Sequence, residues 1–248
     1  MTLTAKFHNK ISTWNYPSGI EKIKYILHPS KLKNKKILDL GCGDGRFAEE
    51  IINVSNCTIY GLDSNKLAIS EARRRKIKAK VYDIEKALPY DDQSFDVIFL
   101  LDTLEHLYNI DHIFCEIHRV LKKDGIIVVS FVNSFDLKNR ILLLTGKEMM
   151  HWAHKKYHHR SWNNPHIRFP RVADVADLLK KYHLYIQKIQ YNFNSAGIIP
   201  QRFTPRFMRK LILKLFPNLF SGKFVILASK RESKKIKNIY LDRTNVGL

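Results

Sequence analysis

The chain has 248 residues, 45% of them hydrophobic, with three cysteines and 43 Lys and Arg against 23 Asp and Glu, a formal net charge of +20. That supplies the core of one ordinary α/β domain, with no apolar run long enough to span a bilayer and no paired cysteine spacing of a disulfide framework. A surface this basic attracts anions, whether nucleic acid, an anionic lipid leaflet or phosphorylated small molecules, and does not choose among them.

Met1–Lys6 opens without the apolar region of a signal peptide, and Cys42, Cys57 and Cys115 read as reduced thiols, so the expected location is the cytoplasm. Apolar residues at 20, 23, 26 and 27 predict a helix, with Trp14 and Tyr16 ahead of it. Ile37-Leu38-Asp39-Leu40 then meets glycines at 41, 43 and 45, the pattern of a buried strand turning sharply into the helix that starts at Phe47. Glycine there tolerates positive φ and lets a ligand approach bare backbone, and the N–H groups that open the helix point over the loop. A dinucleotide fingerprint needs its third glycine at 46, where Arg46 stands, and the Gly-Lys-Ser/Thr of a phosphate loop is absent. Asp39 beside the loop suits a cationic ligand better than a pyrophosphate. Asp63, at the end of the second strand Thr58–Asp63, can accept hydrogen bonds from ribose hydroxyls. A nucleoside carrying a positive charge meets all three features.

Ser64 or Asn65 caps the following helix, whose Arg73–Lys76 end complements its dipole. The third strand is expected over Ala79–Ile84. The nearly continuous apolar run Phe95–Asp102 is expected as a strand covered on both faces. Ligands in open α/β sheets lie beyond the carboxyl ends of the strands, which places Leu101, Asp102, Glu105 and His106 toward the cleft. Ile110–Leu121 reads as an amphipathic helix that Gly125 closes, before a fifth strand over Ile126–Phe131. Strands alternating with crossover helices require a parallel sheet.

Ile37–Ala48, together with Tyr60–Asp63, Tyr82–Ile84, Phe95–Leu107 and Arg119–Ser130 in that order, resembles the motifs of class I, Rossmann-like, S-adenosylmethionine-dependent methyltransferases. The resemblance covers residues 35–132 well and the rest loosely. It implies a doubly wound, Rossmann-like α/β fold with a seven-stranded, mostly parallel sheet, the last strand antiparallel, and a cap insertion. The implied cofactor is S-adenosylmethionine. Asp39, Gly41, Cys42, Gly43 and Gly45 lie at its methionine part and Asp63 with Ser64 at the ribose. Asp83 with the backbone of Ile84 lies at the adenine, and Leu101 beside them. The resemblance also places the segment before the glycine loop, including Tyr16, over the cofactor.

Beyond Val132 the alternation stops. Residues 133–171, rich in His, Trp and Arg, are long for a connection and resemble the variable insertion that caps the acceptor site in these enzymes. Asn133, Arg140, Gly146 and His166–Pro170 resemble a bacterial and archaeal subgroup linked to surface-glycan or lipid-linked sugar modification, although that subgroup carries Thr where Pro170 stands. Methyl transfer to a hydroxyl needs a base, and His106 is its first candidate and His166 its second. His151, His154, His158 and His159 lack a nearby cysteine or carboxylate to complete a metal site, so no metal is expected. Trp152, Tyr157 and Trp162 either anchor the cap or stack bases.

Val172–Tyr182 is expected as a helix and Leu184–Phe193 as a strand. Arg202–Phe216 carries an apolar stripe at 203, 207, 211 and 215 with cations mostly elsewhere, a helix that either packs on its own domain or lies on an anionic membrane. Phe224–Lys230 is the last strand. The methyltransferase domain is thus expected over residues 1–232, and residues 233–248 read as a disordered basic tail. The reading is a methyltransferase that transfers its methyl group to oxygen on a small or lipid-linked acceptor, an anionic one being compatible with the basic surface. Its rivals are an RNA methyltransferase, which the Leu101-Asp102-Thr103-Leu104 sequence disfavours, and a non-catalytic cofactor-binding protein of the same fold.

Overall fold

The computed structural model describes residues 26–147, 166–193 and 205–232. Trp14, Tyr16, most of the expected first helix, the His- and Trp-rich centre of the insertion, Phe203 and the basic tail lie outside the described residues.

Seven strands form one sheet: β1 (Lys36–Leu40), β2 (Thr58–Asp63), β3 (Lys78–Val81), β4 (Phe95–Leu101), β5 (Leu121–Val132), β6 (Tyr185–Phe193) and β7 (Ser221–Ser229), in the order β3-β2-β1-β4-β5-β7-β6. The pairs among β1 to β5 are parallel, and β7 runs antiparallel to both neighbours. The helices are α1 (Arg46–Ser55), α2 (Lys66–Arg74), α3 (Ile110–Val120), α4 (Leu137–Leu144), α5 (Val172–Lys181), α6 (Arg206–Leu215) and the short α7 (Pro217–Phe220).

The sheet is buried on both faces, and the period-two alternation of each strand divides its side chains between two cores. On β4, Ile98 and Leu100 join Ile113, Phe114 and Ile117 of α3 and Leu179 of α5. Val97 and Phe99 join Ile51 of α1 and Ile69 and Ala72 of α2 on the opposite face. The order reverses at β1 and β4, so the carboxyl ends of these two strands splay their loops apart and leave the crevice in which such folds bind ligands.

Two expectations are corrected. Gly125 does not close α3. That helix ends at Val120 with Leu121 already extended, and Gly125 lies inside β5, beside a register shift against Phe95 and Val97. A Cβ there would come 2.6 Å from Leu121 Cδ1, so glycine serves close packing and not a left-handed cap. The third strand stops at Val81, earlier than expected, which leaves Asp83 and Ile84 in the loop beyond it. Of the two cap candidates on α2 the structure uses Asn65, whose Oδ1 accepts from the amides of Leu67 (3.0 Å) and Ala68 (3.2 Å), while Ser64 is exposed.

Candidate functional site

The loop from β1 to α1 is built on three left-handed glycines, with φ of 79° at Gly41, 53° at Gly43 and 78° at Gly45. Gly41 packs on the side chain of Thr103, into which any Cβ would drive, and Gly45 packs on Ala72 and Ile77. Gly43 faces open space: a Cβ built there meets nothing within 4 Å. Two glycines thus close the turn, and the third leaves backbone bare for a ligand. The Thr103 hydroxyl is bonded to Leu40 O (3.2 Å) and Leu101 O (3.0 Å) and ties the ends of β1 and β4 together. Sequence reading missed Thr103 because Leu40, the partner that gives it its role, lies on the neighbouring strand.

Asp63 fixes the loop from the neighbouring strand. Its Oδ2 accepts from the Gly43 amide (2.9 Å) and its Oδ1 from the Asn65 amide (2.8 Å). Each oxygen keeps a second lone pair for a ligand hydroxyl. Asp39 is buried, and its carboxyl is pushed up to about 7, first by burial and then by the charge of Asp63. Burial, with Asp39 and Asp63 nearby, also raises the Cys42 thiol well above its ordinary range. Two acids behind a bare glycine backbone form a cradle that repels a pyrophosphate and fits a cationic nucleoside. The residues present therefore fit S-adenosylmethionine, with Asp39 and the glycines on the side of its charged methionine part. Asp83 is exposed and its Oδ1 accepts from the Glu85 amide, while the Ile84 side chain is buried. Leu101, half-buried, ends β4 and packs with Phe47 and Phe99 in the core on that face.

The second half of the site lies where β4, β5 and β7 meet. Asp102 has φ of 53°, outside the range a non-glycine residue prefers, and its amide bonds Ser130 O and Oγ, both at 3.1 Å. Its carboxylate accepts from Ser130 Oγ (2.7 Å) and pairs with Lys223, which β7 brings in from the far end of the chain. Of the residues expected to face the cleft, Glu105 is only 2% exposed, while Asp102 is half-buried and held in its ion pair. Among the described residues, neither Glu105 oxygen has a hydrogen-bond donor of good geometry. Burial first, and then the Asp102 charge, pushes its carboxyl up to about 8, against a smaller opposing pull from nearby amides and Lys223.

The fold joins the two histidines that the sequence offered as separate candidates. Ring centroids of His106 and His166 lie 4.8 Å apart, edge to face. The amides of Ile167 (3.0 Å) and Arg168 (3.3 Å) donate to Glu105 O, and the Arg168 guanidinium donates to Leu107 O (2.8 Å) and Tyr108 O (2.6 Å). These bonds clamp the end of the insertion onto the loop that carries His106. Burial, then the neighbouring His106, lowers His166 to about 4, which leaves it neutral near pH 7. Glu105, His106 and His166 also offer three ligand atoms within 4.8 Å of one another, a donor set that a divalent cation could take. Periodicity could not reveal this, since sixty residues separate the histidines.

The fold and the two-part cleft are those of a class I methyltransferase. The family model of the methyltransferase domain matches residues 31–197, and the chain belongs to that family. A ubiquinone biosynthesis O-methyltransferase from Pelagibacter ubique (strain HTCC1062) is 32% identical over 182 residues, 71% of this chain and 72% of that protein. A sterol 24-C-methyltransferase from Candida albicans is 30% identical over 113 residues, 41% of this chain and 29% of that protein. The solved structure of a SAM-dependent methyltransferase from Thermotoga maritima aligns with a TM-score of 0.63 at 18% identity, covering 92% of this chain and 98% of that one. The chain is an S-adenosylmethionine-dependent methyltransferase.

Proposed function

We propose that the enzyme methylates a hydroxyl group on a small or lipid-linked acceptor. The observation that carries this reading is the His106–His166 pair beside the buried Glu105, at the end of β4, with His166 held neutral by burial. S-adenosylmethionine supplies a methyl group already activated by its positive sulfur. The residues of this chain then have to hold the two partners in line and remove a proton. In this reading Asp39, Gly41, Cys42, Gly43 and Gly45 hold the methionine part, Asp63 and Ser64 the ribose, Asp83 and Ile84 the adenine, and Leu101 lies beside them. As the hydroxyl becomes a methyl ether it gives up one proton, and His106 Nε2 or Nδ1 takes it, with His166 as the neighbouring acceptor. The Lys223–Asp102 pair sets the charge at the acceptor end.

Support for oxygen comes from the relative named for O-methylation in ubiquinone biosynthesis; the other is named for C-methylation of a sterol and supports only a lipid-type acceptor. The same reading keeps the enzyme in the cytoplasm with peripheral membrane contact through residues 202–216. The test is S-adenosylhomocysteine release with a panel of phenolic and sugar-bearing amphiphiles. His106→Ala is expected to lower kcat by about a hundredfold or more while calorimetry shows an unchanged S-adenosylmethionine Kd. Full turnover by that variant, or turnover confined to amine or carbon acceptors, overturns the reading.

A further inference from the structure

No Asp or Glu occurs between Asp177 and Glu232, although Lys and Arg recur throughout that stretch. Within it, α6 carries Phe207, Leu211 and Leu215 along one stripe. An apolar stripe on a helix ordinarily faces the core. Here it faces outward, with Phe207 70% and Leu211 53% exposed and Leu215, Met208 and Phe216 exposed beside them. Of the two readings of this helix, burial of the stripe against its own domain is not what the described residues 207, 211 and 215 show.

A second helix does the same. On α4, Ile141 and Leu143 are exposed, and Leu144 is 87% exposed. Residues 137–147 hold Lys138, Arg140 and Lys147 and no acid. Both helices spring from one corner of the molecule. Asn133, just before α4, donates through Nδ2 to Asn218 O (2.9 Å) of α7 and to Ser221 O (2.7 Å) at the start of β7, and α6 packs on α7. Two residues along β7 stands Lys223, paired with Asp102. The segments that carry both helices thus meet at the corner from which Lys223 reaches Asp102.

We infer that this corner lands on an anionic phospholipid bilayer and that the acceptor is an amphiphile taken from that bilayer, an inference that rests on the hydroxyl-methylating reading above. Aliphatic and Phe side chains with Lys and Arg at their borders are what an interfacial helix presents to acyl chains and headgroup phosphates. A second copy of this chain is a poor occupant, because it would bring the same cations and another +20 of net charge to the contact.

Flotation of the full chain with vesicles of phosphatidylcholine alone, and of phosphatidylcholine mixed with phosphatidylglycerol, tests the inference. Capture is expected only with phosphatidylglycerol. Phe207→Glu with Leu211→Glu, and separately Leu143→Glu with Leu144→Glu, should each weaken it at least about tenfold, since each removes apolar burial and adds repulsion. S-adenosylmethionine affinity measured on the same variants should stay at the parental value, which reports an intact fold. If a double variant loses that affinity, Phe207→Ser replaces it. Absence of capture by phosphatidylglycerol vesicles overturns the inference, as does full capture by both variants, which would assign binding to diffuse charge. A dimer in light scattering that these variants dissociate would reassign the face to self-association. Capture without methylation of any vesicle-embedded hydroxyl would leave the landing face standing and remove the acceptor reading. Methylation of soluble hydroxyls without capture would do the reverse.

Discussion

Gly41 and Gly43 share a left-handed backbone but not an environment, and their alanine variants separate the two duties of the loop. Gly41→Ala forces a Cβ into Thr103 as well as straining φ, so the loss of stability should exceed the roughly 1 kcal/mol that positive φ alone costs a non-glycine residue. Gly43→Ala meets open space and should cost only about that 1 kcal/mol, yet weaken S-adenosylmethionine binding, because its methyl fills the approach to bare backbone. Thermal unfolding and calorimetry on the pair check both statements. Asp39 makes the same ligand sensitive to pH. A cation is attracted by the ionised carboxylate, and the free protein holds this carboxyl protonated up to about 7. Affinity should rise as pH passes through about 7 and level off above it, with proton release on binding visible when calorimetry is repeated in buffers of different ionisation enthalpy. The effect on folding has the opposite sense. Between the ordinary 3.8 and about 7 the folded chain keeps a proton here that the unfolded chain has lost, so this carboxyl favours folding most at the acid end and its contribution declines until pH passes about 7.

At the level of elements, the end of the insertion is held to the loop after β4 by backbone bonds and by the fork of Arg168. Arg168→Lys keeps the charge but cannot reach both carbonyls in one plane. We expect it to lower kcat about tenfold, as the histidine pair loosens, while Kd for S-adenosylmethionine stays constant; an unchanged kcat would show that the clamp does not set the histidine geometry. Strands β1, β2 and β4 were legible in the sequence because each is a short apolar run that ends at a glycine or an acid, and β2 matches residue for residue. What the sequence hid was set by contacts between distant segments. Gly125 looks like a helix stop in one dimension, but it packs inside a strand. Glu105 follows an apolar strand and was expected to face the cleft, yet its side chain is buried. Lys223 reaches Asp102 only because β7 slots in beside β5. The expected cofactor half falls at strand ends in chain order, at 39–45, 63–64, 83–84 and 101, where motifs can be read one after another; the acceptor half is assembled from 102–106, 166–168 and 223, which only the fold brings together.

For the molecule as a whole, +20 on 248 residues means that like charges repel across much of the surface. Raising sodium chloride from about 0.05 M to about 0.5 M should therefore raise the melting temperature of the free enzyme by screening that repulsion. A flat or falling melting temperature would show that local ion pairs, such as Arg119 with Glu116 and Asp92, outweigh it.

The interleaved position of β7 orders events during synthesis. Strands β1 to β5 emerge first and can form the glycine loop and its acids, but until Ile226 and Ala228 leave the ribosome the ladder edge of Val129 and Ile127 in β5 lacks its β7 partners. A ribosome stalled between β6 and β7 would hold a half-enzyme that already grips the methyl donor, lacks its lysine, and offers a sticky border to any neighbouring nascent chain.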